Sequence, residues 1–336
     1  MATTSNRRSH VPPKPDLSTT GYDRSKEKTP PAQRIEKPQG VQEVVVISGK
    51  GGTGKTSILS SFFALSENKA VVADCDVDAA DLYLVVKPTA QDTWSFSGGE
   101  GAIIDEQACT GCGLCFEHCR FDAIVPIDDG QTYRVDQTSC EGCGVCVDVC
   151  PVDAARLVPR QNGQWFVSQT RHGPMVHARL GIAEENSGKL VSVVRTQAKA
   201  MAAIEGRSLV LVDGPPGVGC PVISSVTGAS FVVVVSEPTL SGLHDMERVA
   251  ELTDHFKIKT GLCINKADLN PDMSDRLEQE ATKRGLPVLG RIHYHESVVK
   301  AQLEEKTVVE LQDSPVAEEI RAVWKNVLAH LDDATS

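Results

Sequence analysis

The sequence predicts an α/β protein, a doubly wound and mostly parallel sheet into which a small α+β module rich in cysteine is inserted. Three observations carry that expectation. Short β-branched runs alternate with helical stretches over most of the 336 residues, and GKGGTGKT at 49–56 joins the first such run to a helix. The spacing C-x2-C-x2-C-x3-C occurs twice, in CTGCGLCFEHC from Cys109 and in CEGCGVCVDVC from Cys140.

The elements follow in order. Residues 1–40 hold six Pro, much Ser and Thr and little bulky apolar surface, so they read as a disordered tail. VQEVVVISG from Val41 is a buried strand that feeds the Gly-rich loop, the helix TSILSSFFALSEN and a second strand, AVVADCD. After Leu84 the pattern breaks into Pro, Ser and Gly, and the cysteine module occupies 99–159. A helical stretch around 190–205 precedes the strand patterns SLVLVDGPP from Ser208, SFVVVVSEP from Ser230, GLCINK from Gly261 and LPVLGRI from Leu286. Strands joined by helices return in the same direction, hence the parallel sheet. The last helix places Val316, Ile320, Val323, Trp324, Val327 and Leu331 on one face. Its polar face is mixed and not basic, which suits a sheet-covering helix better than a membrane-binding one. The expected domains are thus the tail at 1–40, a discontinuous nucleotide-binding domain at 41–98 and 160–332, and the inserted module at 99–159.

Charge and cysteine usage narrow the classes. The formal charge is -11, yet residues 1–40 carry +4. Residues 103–158 hold ten acidic side chains against three Arg and no Lys, a balance of -7. Such a module repels nucleic acid and is steered toward basic protein partners, or simply keeps the surface soluble. No apolar run outside the tail exceeds the five residues of FVVVV at 231–235, so neither a signal peptide nor a membrane span is expected, and the chain reads as cytoplasmic. Of eleven Cys, eight fall in the two repeats, which is metal spacing and not a disulfide framework; Cys75, Cys220 and Cys263 lie outside.

GKGGTGKT fits G-x-x-x-x-G-K-[ST] between a strand and a helix. In that setting the backbone N–H groups of Gly49, Lys50, Gly51, Gly52, Thr53 and Gly54 close on phosphate oxygens, and Lys55 reaches the terminal phosphates. Thr56 offers its hydroxyl to Mg2+, with Ser57 beside it in the same turn. Asp76 in DCDVD and Asp213 in DGPPG stand at strand ends, where open α/β sheets bind ligands; a helix N-cap role would also fit Asp76 or Asp78. INKAD at 264–268 contains N-K-x-D, a pattern that reads guanine in GTPases.

The loop KGGTGKT resembles the deviant Walker A motif of the MinD and ParA type of P-loop NTPases, a group that includes the nitrogenase iron protein and the Mrp-type iron-sulfur carriers. GPMVHARL and EENSGKLV within 173–191, and SEPTLSGLHD from Ser236, are similar to the same group. That resemblance implies slow, dimer-dependent hydrolysis of ATP with Mg2+, in a homodimer or a heterodimer with a related MinD-like chain. It gives Lys50 the role of reaching across the dimer to the partner's nucleotide, where the loop by itself would suggest only a solvated charge. It makes Asp76 the first-switch residue that orients the attacking water, Asp213 the holder of the Mg2+ shell, and Asn265 the adenine contact. ATP in place of GTP rests on this resemblance.

The module is similar to a bacterial two-cluster ferredoxin, from IDEQACTGCG through CRFDAI to VDQTSCEGCG. In such ferredoxins the fourth Cys of each repeat ligates the other repeat's cluster. The resemblance implies two [4Fe-4S] clusters, one held by Cys109, Cys112, Cys115 and Cys150, the other by Cys140, Cys143, Cys146 and Cys119. Gly111, Gly113, Gly142 and Gly144 make the turns and leave N–H groups free for sulfur. Zinc prefers two separated ligand pairs, whereas the four cysteines of each repeat here span eleven residues. Arg120 stands where such ferredoxins usually have Pro; ligation does not need that Pro, and only an inward guanidinium would raise the cluster's potential. Cys220 lies seven residues beyond Asp213, as does one ligand of the bridging cluster in the nitrogenase iron protein. No Cys at 151–219 matches the other ligand; two Cys220 residues meeting across a dimer are the alternative to an ordinary buried thiol, which is the expectation, and Cys75 and Cys263 read as core. His118, His293 and His295 read as ordinary surface or core residues. The leading expectation is an ATP-gated electron carrier serving a redox partner protein; a cluster assembly or transfer factor of the Mrp type and a MinD-like spatial organiser are the alternatives.

Overall fold

The computed structural model describes residues 29–35, 40–77, 80–181 and 187–332. In chain order the elements are β1 Gln42–Ser48, α1 Lys55–Leu65, β2 Ala70–Asp74, α2 Leu82–Val86, β3 Ala90–Ile104, α3 Leu114–His118, β4 Ile124–Ile127, β5 Thr132–Val135, α4 Val145–Asp148, β6 Ala155–Thr170 and β7 Gly173–Leu180. They continue with α5 Ser187–Ile204, β8 Leu209–Pro216, α6 Cys220–Val226, β9 Phe231–Ser236, α7 Leu240–His255, β10 Thr260–Asn265, α8 Pro271–Lys283, β11 Val288–Ile292, α9 Ser297–Leu303 and α10 Pro315–Asp332.

Nine strands form one sheet in the order β11-β10-β9-β1-β8-β2-β7-β6-β3. The seven from β11 to β7 run parallel, and β6 and β3 are added antiparallel. The continuous β-branched runs expected for β1, β8 and β9 are explained by burial on both faces: Val44 to Ile47, Val210 to Val212 and Val232 to Val235 are at most 1% exposed. One core layer lies under α5 and α7, the other under α1 and α10. All six apolar residues of the α10 stripe are buried, and Trp324 stacks on Phe62 of α1 with ring centroids 5.0 Å apart. A face of this kind contributes roughly 1.5–3 kcal/mol per large side chain buried. Its occupation by the sheet accounts for the helix, and no helix among the described residues is long and apolar enough to cross a membrane.

The expected tail falls, at 1–28 and 36–39, outside the described residues. Between them Pro31–Gln33 form a 3-10 turn, with Pro31 buried and the Ala32 N–H donating to Gln197 Oε1 of α5 at 2.8 Å.

The stretch after Leu84 departs from its expected irregularity. Residues 90–104 are one strand, paired along its whole length with β6, and β6 returns into β7 through a tight hairpin. The expected module limits, Gly99 and Pro159, therefore fall inside β3 and β6. The inner part of this pair is a packed sheet edge, where Trp94 and Trp165 stack at 4.2 Å. Beyond it the two strands project from the sheet and end at the cysteine module, which adds the two-stranded sheet β4-β5 and the short helices α3 and α4.

Candidate nucleotide and cluster sites

The phosphate loop sits where the sequence places it, between β1 and α1. Gly52 and Gly54 take φ values of +79° and +89°, and a Cβ on Gly54 would lie 2.4 Å from Asn265 Nδ2. Asn265, at the end of β10, donates that Nδ2 to the Thr53 carbonyl at 2.7 Å. Lys266 donates to the Gly52 carbonyl at 3.1 Å and pairs with Glu237. Lys50 Nζ also meets Glu237, at 3.0 Å, so the lone loop charge of the bare sequence has a partner. Burial pushes the Glu237 carboxyl up, but the two lysines hold it below the usual carboxylate range.

Lys55 is buried with its Nζ 3.5 Å from Asp76 Oδ2, and the Thr56 hydroxyl donates to Asp213 Oδ2 at 2.7 Å. Nothing in DCDVD singles out Asp74, yet it is 1% exposed and its register partner across the β2–β8 pair is Asp213. Its Oδ1 accepts the Asp76 N–H at 3.2 Å. Burial, then the charges of Asp213 and Asp76, push the Asp74 carboxyl well above its ordinary range. Burial likewise pushes Asp213 up to about 6, against the lowering pull of Lys55 and the Thr56 hydroxyl. Asp74 Oδ2, Asp213 Oδ1 and Thr53 Oγ1 are buried with no hydrogen-bond partner among the described residues. Two orphaned carboxylate oxygens beside a phosphate loop fit Mg2+, which takes one or two carboxylates and fills the rest of its shell with water and phosphate.

In the module the two repeats interlock. Cys109, Cys112, Cys115 and Cys150 line one cavity of about 310 Å³, part of it open to solvent, together with Ile104, Tyr133 and Val152. Cys119 leaves its own repeat and lines a second cavity, of about 330 Å³, with Cys140, Cys143 and Cys146. Among the described residues no three His, Cys, Asp or Glu side chains converge closely enough for a single ion. The thiols stand instead around a space, which is the donor set a four-iron cube requires. Backbone donors point at sulfur: Ala102 N–H to Cys140 Sγ at 3.5 Å and Ala154 N–H to Cys150 Sγ at 3.2 Å. Gly111, Gly113, Gly142 and Gly144 all have φ between +65° and +81°. Arg120 is exposed and is not among the residues that line either cavity. Cys75 and Cys263 are buried as expected, whereas Cys220, expected to be a buried thiol, is exposed, because it is the first residue of α6.

The glycines differ in what surrounds them. A Cβ on Gly142 would fall 2.0 Å from the Glu100 carbonyl oxygen of β3, whereas one on Gly144 meets nothing nearer than Leu157 Cδ1 at 3.5 Å. Gly142→Ala is therefore expected to displace the loop and lose the iron bound by the second repeat. Gly144→Ala should cost only the left-handed backbone penalty, about 1–2 kcal/mol, and keep it. Iron analysis and thermal denaturation of the two variants decide this; equal losses would contradict it.

Sheet order, loop and module together define a class: a MinD/ParA-like P-loop ATPase fold carrying a 4Fe-4S dicluster domain. Residues 102–157 match the family model of the 4Fe-4S dicluster domain. The fold is that of the cell division ATPase MinD of Pyrococcus furiosus, with a TM-score of 0.50 and 16% identity over 86% of this chain and 98% of that one. It is shared with the MinC:MinD cell division protein complex of Aquifex aeolicus, with a TM-score of 0.51 and 13% identity over 86% and 96% of the two chains. The chain belongs to the family of protein MJ0578 of Methanocaldococcus jannaschii, described as uncharacterized, to which it is 34% identical over 232 residues, 68% of this chain and 80% of that protein. Protein MJ0579 of the same organism, also described as uncharacterized, is 25% identical over 251 residues.

Proposed function

We propose that this protein is an ATPase that couples its nucleotide state to electron transfer through two [4Fe-4S] clusters. The observation that carries the proposal is the β3–β6 pair: it starts four residues after α2, on the chain segment that follows Asp76, and ends on Cys140 through the Ala102 N–H. In this reading 41–98 and 160–332 are the ATPase domain and 99–159 the inserted module. The clusters, when bound by their crossed cysteine sets, supply one-electron chemistry; the rest is the work of side chains. Lys55 and the loop N–H groups bind phosphate, Asp74, Asp213 and Thr56 hold Mg2+, and Asp76 orients water for a slow hydrolysis. Asn265, now bonded to the Thr53 carbonyl, turns to the adenine. Lys50 leaves Glu237 for the nucleotide of a second chain, either another copy or a related MinD-like ATPase. A nucleotide shifts an equilibrium only through contacts that differ between two states, and these switch residues supply such contacts. The acidic module docks a redox partner protein with a basic face, and the protein works in the cytoplasm without nucleic acid or membrane.

The test is electron paramagnetic resonance of anaerobically purified, dithionite-reduced protein with and without Mg-ATP. Two magnetically coupled cluster signals that change with ATP are expected, and the change should vanish in Lys55→Ala and Asp76→Ala. Signals indifferent to ATP would end the coupling proposal.

A further inference from the structure

The strand pair that carries the module is interrupted at one place. Phe96 pairs with Gly163, Ser97 with Gln161 and Gly99 with Arg160, so Asn162 is an extra residue in β6 and Gly98 an extra residue in β3. The two bulges cancel, and the register beyond them is that of the inner strands. They lie where the third strand stops: Gly163 pairs with Leu180, the last residue of β7, and the Gly181 N–H donates to the Asn162 carbonyl at 2.9 Å. On one side of this point β3 and β6 belong to the nine-stranded sheet; on the other they are a ribbon of two. Bulges bend strands, and a ribbon of two strands lacks the support of a sheet, so the arm bends here before anywhere else.

Both backbone groups of Gly98 are taken by side chains at this point. Its N–H donates to Oδ1 of Asn162 at 2.7 Å, and its carbonyl accepts from Nζ of Lys189 at 2.9 Å. Asn162 is 4% exposed, so its bond is internal to the arm. Lys189 comes from elsewhere, the first turn of α5. That turn rests on α6: a Cβ on the neighbouring Gly188 would lie 3.1 Å from Ser224 Oγ and 3.5 Å from the Cys220 carbonyl oxygen. Further along, Arg195 of α5 donates to the Ser224 and Thr227 carbonyls at 2.5 and 3.0 Å while paired with the buried Glu43 of β1. The two helices therefore move together. α6 in turn begins three residues after the DGPPG loop, whose Gly217 N–H is held by the Ser48 carbonyl at the end of β1.

We propose that the paired bulge at Gly98 and Asn162 is the hinge of the cluster arm, and that Lys189 is the positioning residue through which the loop after Asp213 sets the arm's angle. This rests on the ATP-gated reading above. A shift of the DGPPG loop moves α6, α6 carries the N-terminal turn of α5, and Lys189 passes the displacement to the Gly98 carbonyl. Four residues further along the same strand the Ala102 N–H contacts Cys140 Sγ, so the second cluster site feels the change most directly.

The test uses full-length, cluster-loaded protein with Lys189→Met, which keeps the aliphatic stem and removes the donor at a surface position. Amide hydrogen exchange over 98–104 is expected to quicken about tenfold, the effect of losing one charge-assisted hydrogen bond. Iron content and Mg-ATP binding should match wild type, while the ATP-dependent change in the cluster signals disappears. A variant with wild-type exchange and a wild-type response to ATP would overturn the hinge assignment and leave the gating proposal standing. If the wild-type signals ignore ATP, gating fails, and exchange alone decides: faster exchange in Lys189→Met keeps the hinge, unchanged exchange ends it. Asn162→Ala supplies an independent variant, expected to speed exchange on both sides of the bulge.

Discussion

Asp213→Asn will stabilise the nucleotide-free protein and abolish ATP hydrolysis. Asp213 is buried at the end of β8 with Oδ1 unsatisfied and Oδ2 accepting from Thr56, and its carboxyl is pushed up to about 6. Between the ordinary carboxylate value and about 6 the folded protein holds a proton that the unfolded chain has released, so stability falls as pH rises across that window. At neutral pH the folded state carries the full cost of the buried charge, which Mg2+ would offset and which the amide removes. The asparagine oxygen still accepts from Thr56, and Lys55 keeps Asp76 as a partner. The expected gain is on the order of 1–3 kcal/mol at pH 7, shrinking toward pH 4, alongside a loss of hydrolysis of about 100-fold or more. Thermal denaturation as a function of pH, paired with an ATPase assay, measures both. Destabilisation at every pH, or hydrolysis at the wild-type rate, would remove Asp213 from the Mg2+ site.

Cys119→Ser will cost the protein the cluster of the other repeat. Cys119 lies in the first repeat by sequence but lines the cavity of Cys140, Cys143 and Cys146, while Cys150 lines that of Cys109, Cys112 and Cys115. Iron content should fall by about half. Double variants identify which half, because residues serving one cluster are not additive. Cys119→Ser with Cys143→Ser should bind as much iron as either single variant, whereas Cys119→Ser with Cys112→Ser should bind almost none. The reverse pattern would mean that each repeat serves its own cluster.

Much of this arrangement is legible in the amino-acid sequence. The P-loop between strand and helix, the strand runs of β1, β2, β8, β9, β10 and β11 and the stripe on α10 follow from local pattern, because burial on both faces of a strand or one face of a helix dictates composition directly. The arm is not legible in the same way. TWSFSGGEGA, from Thr93, mixes glycine with polar residues, since outside the sheet neither face of a two-stranded ribbon is fully buried. Trp94 and Trp165 are the available signal, and their stacking needs two segments 71 residues apart to pair. Asp74 escapes a sequence reading for a related reason. DCDVD offers three carboxylates, and which of them meets Asp213 depends on the register of β2 against β8.

Local pattern in the chain thus sets out the candidate chemistry: cysteines at fixed short spacings, a Gly-rich loop between strand and helix, and strands apolar enough to demand a parallel sheet. Each of these depends on neighbours within a dozen residues, so the chain encodes it locally. How the pieces face each other depends on long-range pairing. It brought Asp74 beside Asp213, gave Lys50 a partner in Glu237, and hung the cysteine module on a paired bulge gripped by Lys189. Those contacts join residues far apart in the chain, and they depend on strand pairing, which no local pattern specifies.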